Sequence, residues 1–288
     1  MNATTCWVVS PMLFDTESYL RVRQETIHAC SERHEAMRFV VVDDSAGTDP
    51  ELERLHALDD VEVLSAPFNL GHQRAIVHGL RELADRVHDA DVIVTMDSDG
   101  EDQPADVPRL LAALDDGDVS LALARRTQRS ESLLFRVMYT VFRVVFRALT
   151  GTTVRSGNFA VQRGDSLRAT IGHPAFDLCY SSSLLALRRP TTMVPCARGA
   201  RFAGQSRMNA QSLMAHGVRM LLPFAERIAV RAMVVSAVTG AALVALLVVL
   251  CFVQPAALVV VAAATASVFF TALFSFVSLF ARFDQGRG

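Results

Sequence analysis

Residues 232–281 carry no Asp, Glu, Arg, Lys or His. That run is more than twice the roughly 20 apolar residues that a helix needs to cross a bilayer. Gln254-Pro255 divides it into segments 232–253 and 256–281, each long enough for one span. Two helices joined by a tight turn would cross and return. A buried helical hairpin in a soluble core is the alternative, but cores seldom hold so long an uncharged stretch in continuous sequence. Arg227 and Arg231 precede the pair, and Arg282 and Arg287 follow it. The positive-inside bias then puts both flanks in the cytoplasm and the Gln-Pro turn outside. Residues 1–14 have no basic n-region, so no signal peptide is expected there. The expectation is a cytoplasmic head over residues 1–227 and a multi-pass hairpin over residues 228–288 in the cell (inner) membrane.

Charge and residue usage exclude several functions. The net charge is -2, so there is no basic field to attract nucleic acid. All 28 basic residues are Arg and none is Lys. A Walker A phosphate loop, a Schiff-base lysine and a lysine general base are therefore excluded. The five cysteines (Cys6, Cys30, Cys179, Cys196, Cys251) form no CxxC and no Cys/His zinc spacing.

The head reads as α/β. Short apolar runs at 6–10, 39–42, 61–65, 92–96 and 119–124 have the character of strands. Segments 16–33, 71–84 and 106–114 have helical spacing. Alternation of this kind predicts a mostly parallel sheet with helices on both faces. Ligands of such sheets bind beyond the carboxyl ends of the strands. Two strand runs here end in acid, at Asp43-Asp44 and at Asp97.

The second acidic end is DSDGEDQP, with Asp97, Asp99, Glu101 and Asp102 inside six positions. Such a cluster repels itself unless a cation enters it. Oxygen donors without His or Cys favour Mg2+ or Mn2+, completed by waters and substrate phosphates. A solvated acidic turn capping the next helix is the alternative, and for Asp43-Asp44 a turn with Ser45 and Gly47 is equally open.

Seven blocks in order resemble the family 2 glycosyltransferases, and among them the polyprenyl-phosphate (dolichyl-phosphate-mannose-synthase-like) glycosyltransferases. They are Val8-Val9-Ser10-Pro11, then VVVDDSAGTD, then Asn69-Leu70-Gly71-His72-Gln73-Arg74-Ala75 with Gly79-Leu80. DSDGEDQP, the Arg125/Arg129 pair and Ser156-Gly157-Asn158-Phe159 follow, and Arg198 to Arg207 (RGARFAGQSR) matches an R-x-x-R-x-x-G-x-S-K/R loop.

The resemblance implies a GT-A nucleotide-sugar fold with a UDP- or GDP-sugar donor. Pro11 and Asp44 would line the nucleoside pocket. Asp97, Asp99 and Glu101 would hold Mg2+ or Mn2+ on the diphosphate, although the third position is often Gln in relatives. Arg198, Arg201, Ser206 and Arg207 would close a loop over the phosphates. Arg125 and Arg129 would attract the acceptor phosphate. Asn158 stands where the subfamily often has Asp; Asn cannot take a proton, which leaves it a sugar-binding or metal-orienting role. The acceptor implied is a polyprenyl phosphate, an anion that attacks the anomeric carbon without needing a general base. Single displacement with inversion is the expected course. His72, His173 and His216 read as structural histidines.

Segment 133–150 is apolar except for Arg136, Arg143 and Arg147, which share one helical face. It would lie in the membrane interface with its Arg side chains toward lipid phosphates, and 212–227 could be a second surface helix. A core-packing helix with its Arg stripe in water is the alternative. Spans of this kind commonly pack on copies of themselves, so a homo-oligomer is a further expected partner. Two other functions stay open: transfer to a different glycolipid or envelope-glycan acceptor, and a non-catalytic membrane module that binds nucleotide sugar.

Overall fold

The computed structural model describes residues 4–33, 36–115, 117–127, 133–203, 210–253 and 258–285. The chain divides into two compact units, residues 1–142 with 153–223 and residues 143–152 with 224–288.

The larger unit is built on strands β1 (Thr5–Met12), β2 (Ala36–Asp43), β3 (Val61–Ser65), β4 (Val92–Thr95), β5 (Leu121–Arg126), β6 (Ser156–Arg163) and β7 (Thr191–Cys196). They form one seven-stranded sheet in the order β3-β2-β1-β4-β6-β5-β7. Pairs β1–β2, β2–β3, β1–β4 and β5–β7 are parallel, while β6 runs antiparallel to both β4 and β5. The sheet is thus mostly parallel, as expected, with one reversed strand.

Helices α1 (Thr16–Ala29), α2 (Glu53–His56), α3 (His72–Ala84) and α4 (Val107–Ala112) alternate with the first five strands. Successive strand side chains point to opposite faces, and both faces are apolar here. Val9, Val40, Val42, Leu121 and Leu123 meet Ile76, Leu80 and Leu83 of α3 on one side. Cys6, Val8, Phe39, Val94 and Ala122 meet Val22 of α1 and Leu110 and Leu111 of α4 on the other. The predicted helix 106–114 begins instead as a 3-10 turn, Pro104–Asp106. Pro104 and Pro108 lack the N–H groups that would extend regular bonding there, and each is confined to a first turn.

Strand order reverses at β1. From β1 the chain steps outward through β2 to β3, then returns to the other side of β1 as β4. Pairing between β1 and β4 covers only Cys6–Val9 against Val92–Thr95. Pro11 lies past that ladder, so its missing N–H breaks no bond with β4. The two strands part at their carboxyl ends, which is where an open α/β sheet forms its ligand crevice.

Between β5 and β6 lies α5 (Leu133–Thr150). Helices α6 (Gly164–Thr170), α7 (Ala175–Leu178), α8 (Tyr180–Ala186) and α9 (Ala210–Leu221) follow. On α5, Val141, Val144 and Val145 are exposed and Phe146 is buried. The helix thus has both exposed and buried apolar positions. The Arg136 side chain lies outside the described residues.

The smaller unit contains α10 (Ala225–Val253) and α11 (Leu258–Gln285). They pack along each other, and Gly240 lies where a Cβ would stand 3.9 Å from Val268. Phe146 meets Phe224 edge-on at 5.3 Å, and Arg231 donates to the Ala148 carbonyl at 2.9 Å. Outward side chains are apolar, among them Val234, Val238, Val244, Val248, Phe269 and Phe274. By length and composition one helical stretch, Ser212–Val249, is apolar enough to cross a membrane, and none of its most apolar window is buried. The apolar stretch Val260–Ser275 is shorter. The Gln254-Pro255 turn and Arg287 lie outside the described residues.

Candidate active site

Three segments converge at the parted ends of β1 and β4. The first is the end of β2. Asp43 turns back on its own loop, its Oδ1 accepting the Ser45 N–H at 2.9 Å and its Oδ2 the Gly47 N–H at 2.7 Å. Gly47 supplies the left-handed φ of +77° that this turn requires. Asp44, buried, then faces the next crossover. Its Oδ1 accepts the Leu70 N–H at 2.6 Å and its Oδ2 the Gly71 N–H at 3.0 Å. Burial raises its pKa, and the two N–H bonds oppose that rise. Asp44 thus fastens the segment before α3 to the end of β2, and Pro11 is buried beside it in β1.

The second segment is the start of α3. Gln73 Oε1 accepts the Ser181 N–H at 3.1 Å and the Cys179 thiol at 3.4 Å. That contact fixes the amide, so its Nε2 donates to Asn158 Oδ1 at 2.6 Å. Asn158 in turn presents Nδ2 to Asp97 Oδ1 at 3.4 Å, and His72 Nε2 lies 2.6 Å from the same nitrogen. Its own backbone carbonyl accepts from the Thr95 hydroxyl at 2.7 Å.

The third segment is the acidic loop after β4. Asp97 Oδ1 is 3.1 Å from His72 Nε2. Burial works to raise Asp97, but His72, then Arg126 and the Asn158 amide, reverse this and hold it near 2. For His72 partial burial opposes the charged imidazole, and the carboxylates of Asp97, Asp102 and Asp99 outweigh it and raise its pKa. Asp102 is buried, accepts the Asp97 N–H at 3.1 Å and faces Arg126 at 3.7 Å. Burial, and then the charge of Asp97, push Asp102 up to about 7. Burial and the neighbouring acids Asp97 and Glu101 also raise Asp99.

Segment 198–202 lies against this loop. Arg201 contacts Asp99 Oδ2 at 2.6 Å and Glu101 Oε1 at 3.3 Å. Arg198 Nε donates to Glu101 Oε2 at 3.1 Å.

Most of the sequence-predicted residues therefore meet: Pro11, Asp44, Asp97, Asp99, Glu101, Asn158, Arg198 and Arg201 all belong to these segments. Arg129, Ser206 and Arg207 lie outside the described residues. Arg125 sits on β5 opposite Ser156, next to a register shift between Leu123 and Arg125. Among the described residues its Nε is buried without a hydrogen-bond partner. Its neighbour Arg126 is the one turned to Asp102, since successive strand side chains point to opposite faces. His72, expected as a structural histidine, and Gln73 also lie here, against Asp97 and Asn158. Their signal was the block containing them, which ends a loop and opens a helix.

A divalent ion fits the chemistry of the donor set. The acids supply only hard oxygens, and burial first, then the neighbouring carboxylates, raise Asp99 and Asp102. Among the described residues no group of three or more His, Cys, Asp or Glu side chains is placed to hold a metal ion. Mg2+ is commonly bound by one or two carboxylates and completed by waters and substrate phosphates.

The sequence model of the family described as Glycosyl transferase family 2 matches residues 17–178. The chain is similar to the undecaprenyl-phosphate 4-deoxy-4-formamido-L-arabinose transferase of Proteus mirabilis (strain HI4320), 26% identical over 151 residues, which are 51% of this chain and 44% of that protein. The transferase of the same name from Photorhabdus laumondii is 26% identical over 219 residues, 72% of this chain and 64% of the relative. The chain thus spans about half to two thirds of the length of these relatives. Among solved structures, the glucosyl-3-phosphoglycerate synthase of Mycobacterium tuberculosis, in complex with Mn2+, UDP-glucose and phosphoglyceric acid, superposes with a TM-score of 0.56 at 20% identity. The match covers 78% of this chain and 80% of that one. A second mycobacterial structure gives 0.53 at 22% identity, covering 77% and 75%.

Proposed function

Since the chain belongs to glycosyl transferase family 2, we propose that it moves a sugar from a nucleoside-diphosphate donor to a polyprenyl phosphate at the cytoplasmic face of a membrane. One observation carries this reading: Asp44 and the Asp97–Asp99 loop follow the carboxyl ends of β2 and β4 and are joined through segment 70–72, with Arg198 and Arg201 on the loop's acids. The names of the relatives support the acceptor, and the Mn2+ and UDP-glucose held by the structural neighbour support the donor and the metal.

Pro11 and Asp44 would form the nucleoside end of the crevice. Asp97 and Asp99, with Glu101 as third carboxylate, would hold Mg2+ or Mn2+. The ion would neutralise charge on the departing diphosphate. Arg198 and Arg201, with Arg207 and Ser206 of the same loop motif, would contact the phosphates; a guanidinium fork suits two oxygens at once. Asn158 is held by Gln73 as a donor toward Asp97, so it orients a ligand and removes no proton. None is required, because a phosphate monoester is already an anion at neutral pH. Arg125 and Arg129 would draw that anion in. Attack on the anomeric carbon forms the sugar–phosphate bond and releases the nucleoside diphosphate with inversion.

The apolar helices would anchor the head. In this reading α10 and α11 cross the bilayer as a multi-pass hairpin, and α5, with its exposed valines beside Arg143 and Arg147, lies at the lipid surface. Homo-oligomers would form through the same spans.

Membranes containing the chain should convert labelled UDP- or GDP-sugar into a labelled lipid only when polyprenyl phosphate is present. Asp99→Asn should lower the rate about 100-fold or more. A labelled lipid formed without any polyprenyl phosphate would redirect the reading to another acceptor, and equal turnover by Asp99→Asn would end it.

A further inference from the structure

The segment carrying Arg198 and Arg201 is fastened to the acidic loop by main chain, not by its charges alone. The Gly199 N–H donates to the Glu101 carbonyl and the Phe202 N–H to the Asp99 carbonyl, both at 2.9 Å. Arg198 and Asp102 form a bridge pair. Gly199 fits only as glycine, since a Cβ there would stand 2.5 Å from the Gly100 carbonyl oxygen. The Phe202 ring covers Gly100, within 2.7 Å of where a Cβ would be. The Arg21 guanidinium, 3.8 Å above that ring, closes the stack from outside.

The two guanidinium heads are differently placed. The Asp99 and Glu101 side chains are 8% and 15% exposed, whereas Arg201 and Arg198 are 33% and 31% exposed. Each head can therefore turn toward solvent while its backbone stays fixed. Glu101 divides its oxygens, Oε2 to Arg198 and Oε1 to Arg201. A neutral Gln at this position could not hold two cations in that way.

We propose that Arg201, seconded by Arg198, is the resident counter-cation of the acidic loop. It neutralises Asp99 and Glu101 while the crevice lacks donor, and it exchanges carboxylate for phosphate when a divalent ion arrives with a nucleoside diphosphate. The inference rests on the reading of this loop as the donor site. A second cation at Asp99 is repelled by the guanidinium already there. Once diphosphate oxygens are present, the same fork gains a doubly charged partner. Exchange needs a change of side-chain rotamer, with no opening of the segment.

The consequence is a reversal of sign. Removing the Arg201 charge should help the ion bind alone and hinder the ion that comes with diphosphate. A merely structural residue would weaken both, and a residue that acts only on phosphate would leave the ion alone unaffected.

The test is Mn2+ binding to the detergent-solubilised full chain, read by the electron paramagnetic resonance of free Mn2+, without nucleotide and with UDP or GDP. Arg201→Gln should bind Mn2+ alone about three- to tenfold more tightly than the native chain, and should gain less from the nucleotide. Arg201→Lys, which keeps a point charge, should return Mn2+ affinity toward the native value. Arg198→Gln should shift it in the same direction as Arg201→Gln by less, and it carries the test if Arg201→Gln does not fold by thermal melting. Equal or weaker binding of Mn2+ alone by the Gln variants, with normal Mn2+–nucleotide binding by the native chain, overturns the exchange but not the donor site. No Mn2+ uptake by the native chain with either nucleotide overturns the donor-site reading and the exchange with it.

Discussion

Asp102 is buried against Arg126 and beside Asp97, and its pKa stands at about 7, well above the roughly 3.9 of an unfolded Asp. The folded chain therefore keeps a proton that the unfolded chain releases. Stability tied to that proton is fully present below about pH 4 and is lost as pH rises toward 7. Asp97 is shifted the other way, so its contribution fails only in strong acid. In EDTA, the melting temperature of the native chain should fall between pH 4.5 and 7.5 relative to that of Asp102→Asn. Parallel melting curves for the two would show that another group carries the slope. This residue also marks what the sequence could tell. Asp97, Asp99 and Glu101 were legible because their carboxylates are contiguous in one loop. Gln73 and Asn158 lie 85 positions apart, and no local pattern joins them. Arg126 meets Asp102 across 24 positions of sequence, a pairing that a strand pattern does not encode.

The helix–sheet contact at α3 shows how tightly the elements must fit for the crevice to form. Gly79 lies where a Cβ would come within 2.5 Å of Val42 Cγ2 and 3.1 Å of Val9 Cγ1. Both valines are fully buried and stiff at χ1, so neither yields easily. Gly79→Ala would normally favour a helix. Here it should destabilise by about 1–3 kcal/mol through overpacking, lowering the melting temperature by several degrees. An unchanged or higher melting temperature would refute the close contact. The strands that frame this helix were readable because each is a short apolar run bounded by polar residues, and α1, α3 and α5 were readable from their spacing. β6 and β7 were not. β6 begins with the polar Ser156-Gly157-Asn158, and β7 alternates exposed and half-buried positions around Pro195. Their place is set by pairing with β5, not by local preference. The 3-10 turn before α4 was hidden for the opposite reason, because helical spacing continues through two prolines that shorten the helix.

At the scale of the whole chain, the long uncharged run is the feature on which location depends. In the structure its helices present Val234, Val238, Val244 and Phe274 outward. Exposed side chains of this kind have two possible surroundings, and they respond to charge in opposite ways. In water an exposed Val gains nothing from its position, so Val244→Asp should change stability by no more than about 0.5 kcal/mol and should improve solubility. In a bilayer the same substitution near the middle of segment 232–253 should cost about 2.5–3.5 kcal/mol of insertion. We expect the native chain to stay with membranes through high salt and alkaline carbonate and to leave only with detergent. Val244→Asp should shift a measurable fraction to the carbonate-soluble or degraded pool, while Met214→Asp, at an exposed position on α9 outside that segment, should shift less. If Val244→Asp is retained as fully as the native chain, the helix does not sit in lipid. Transfer to a lipid phosphate would then lose its anchor, while the sugar-nucleotide crevice would keep every contact described for it.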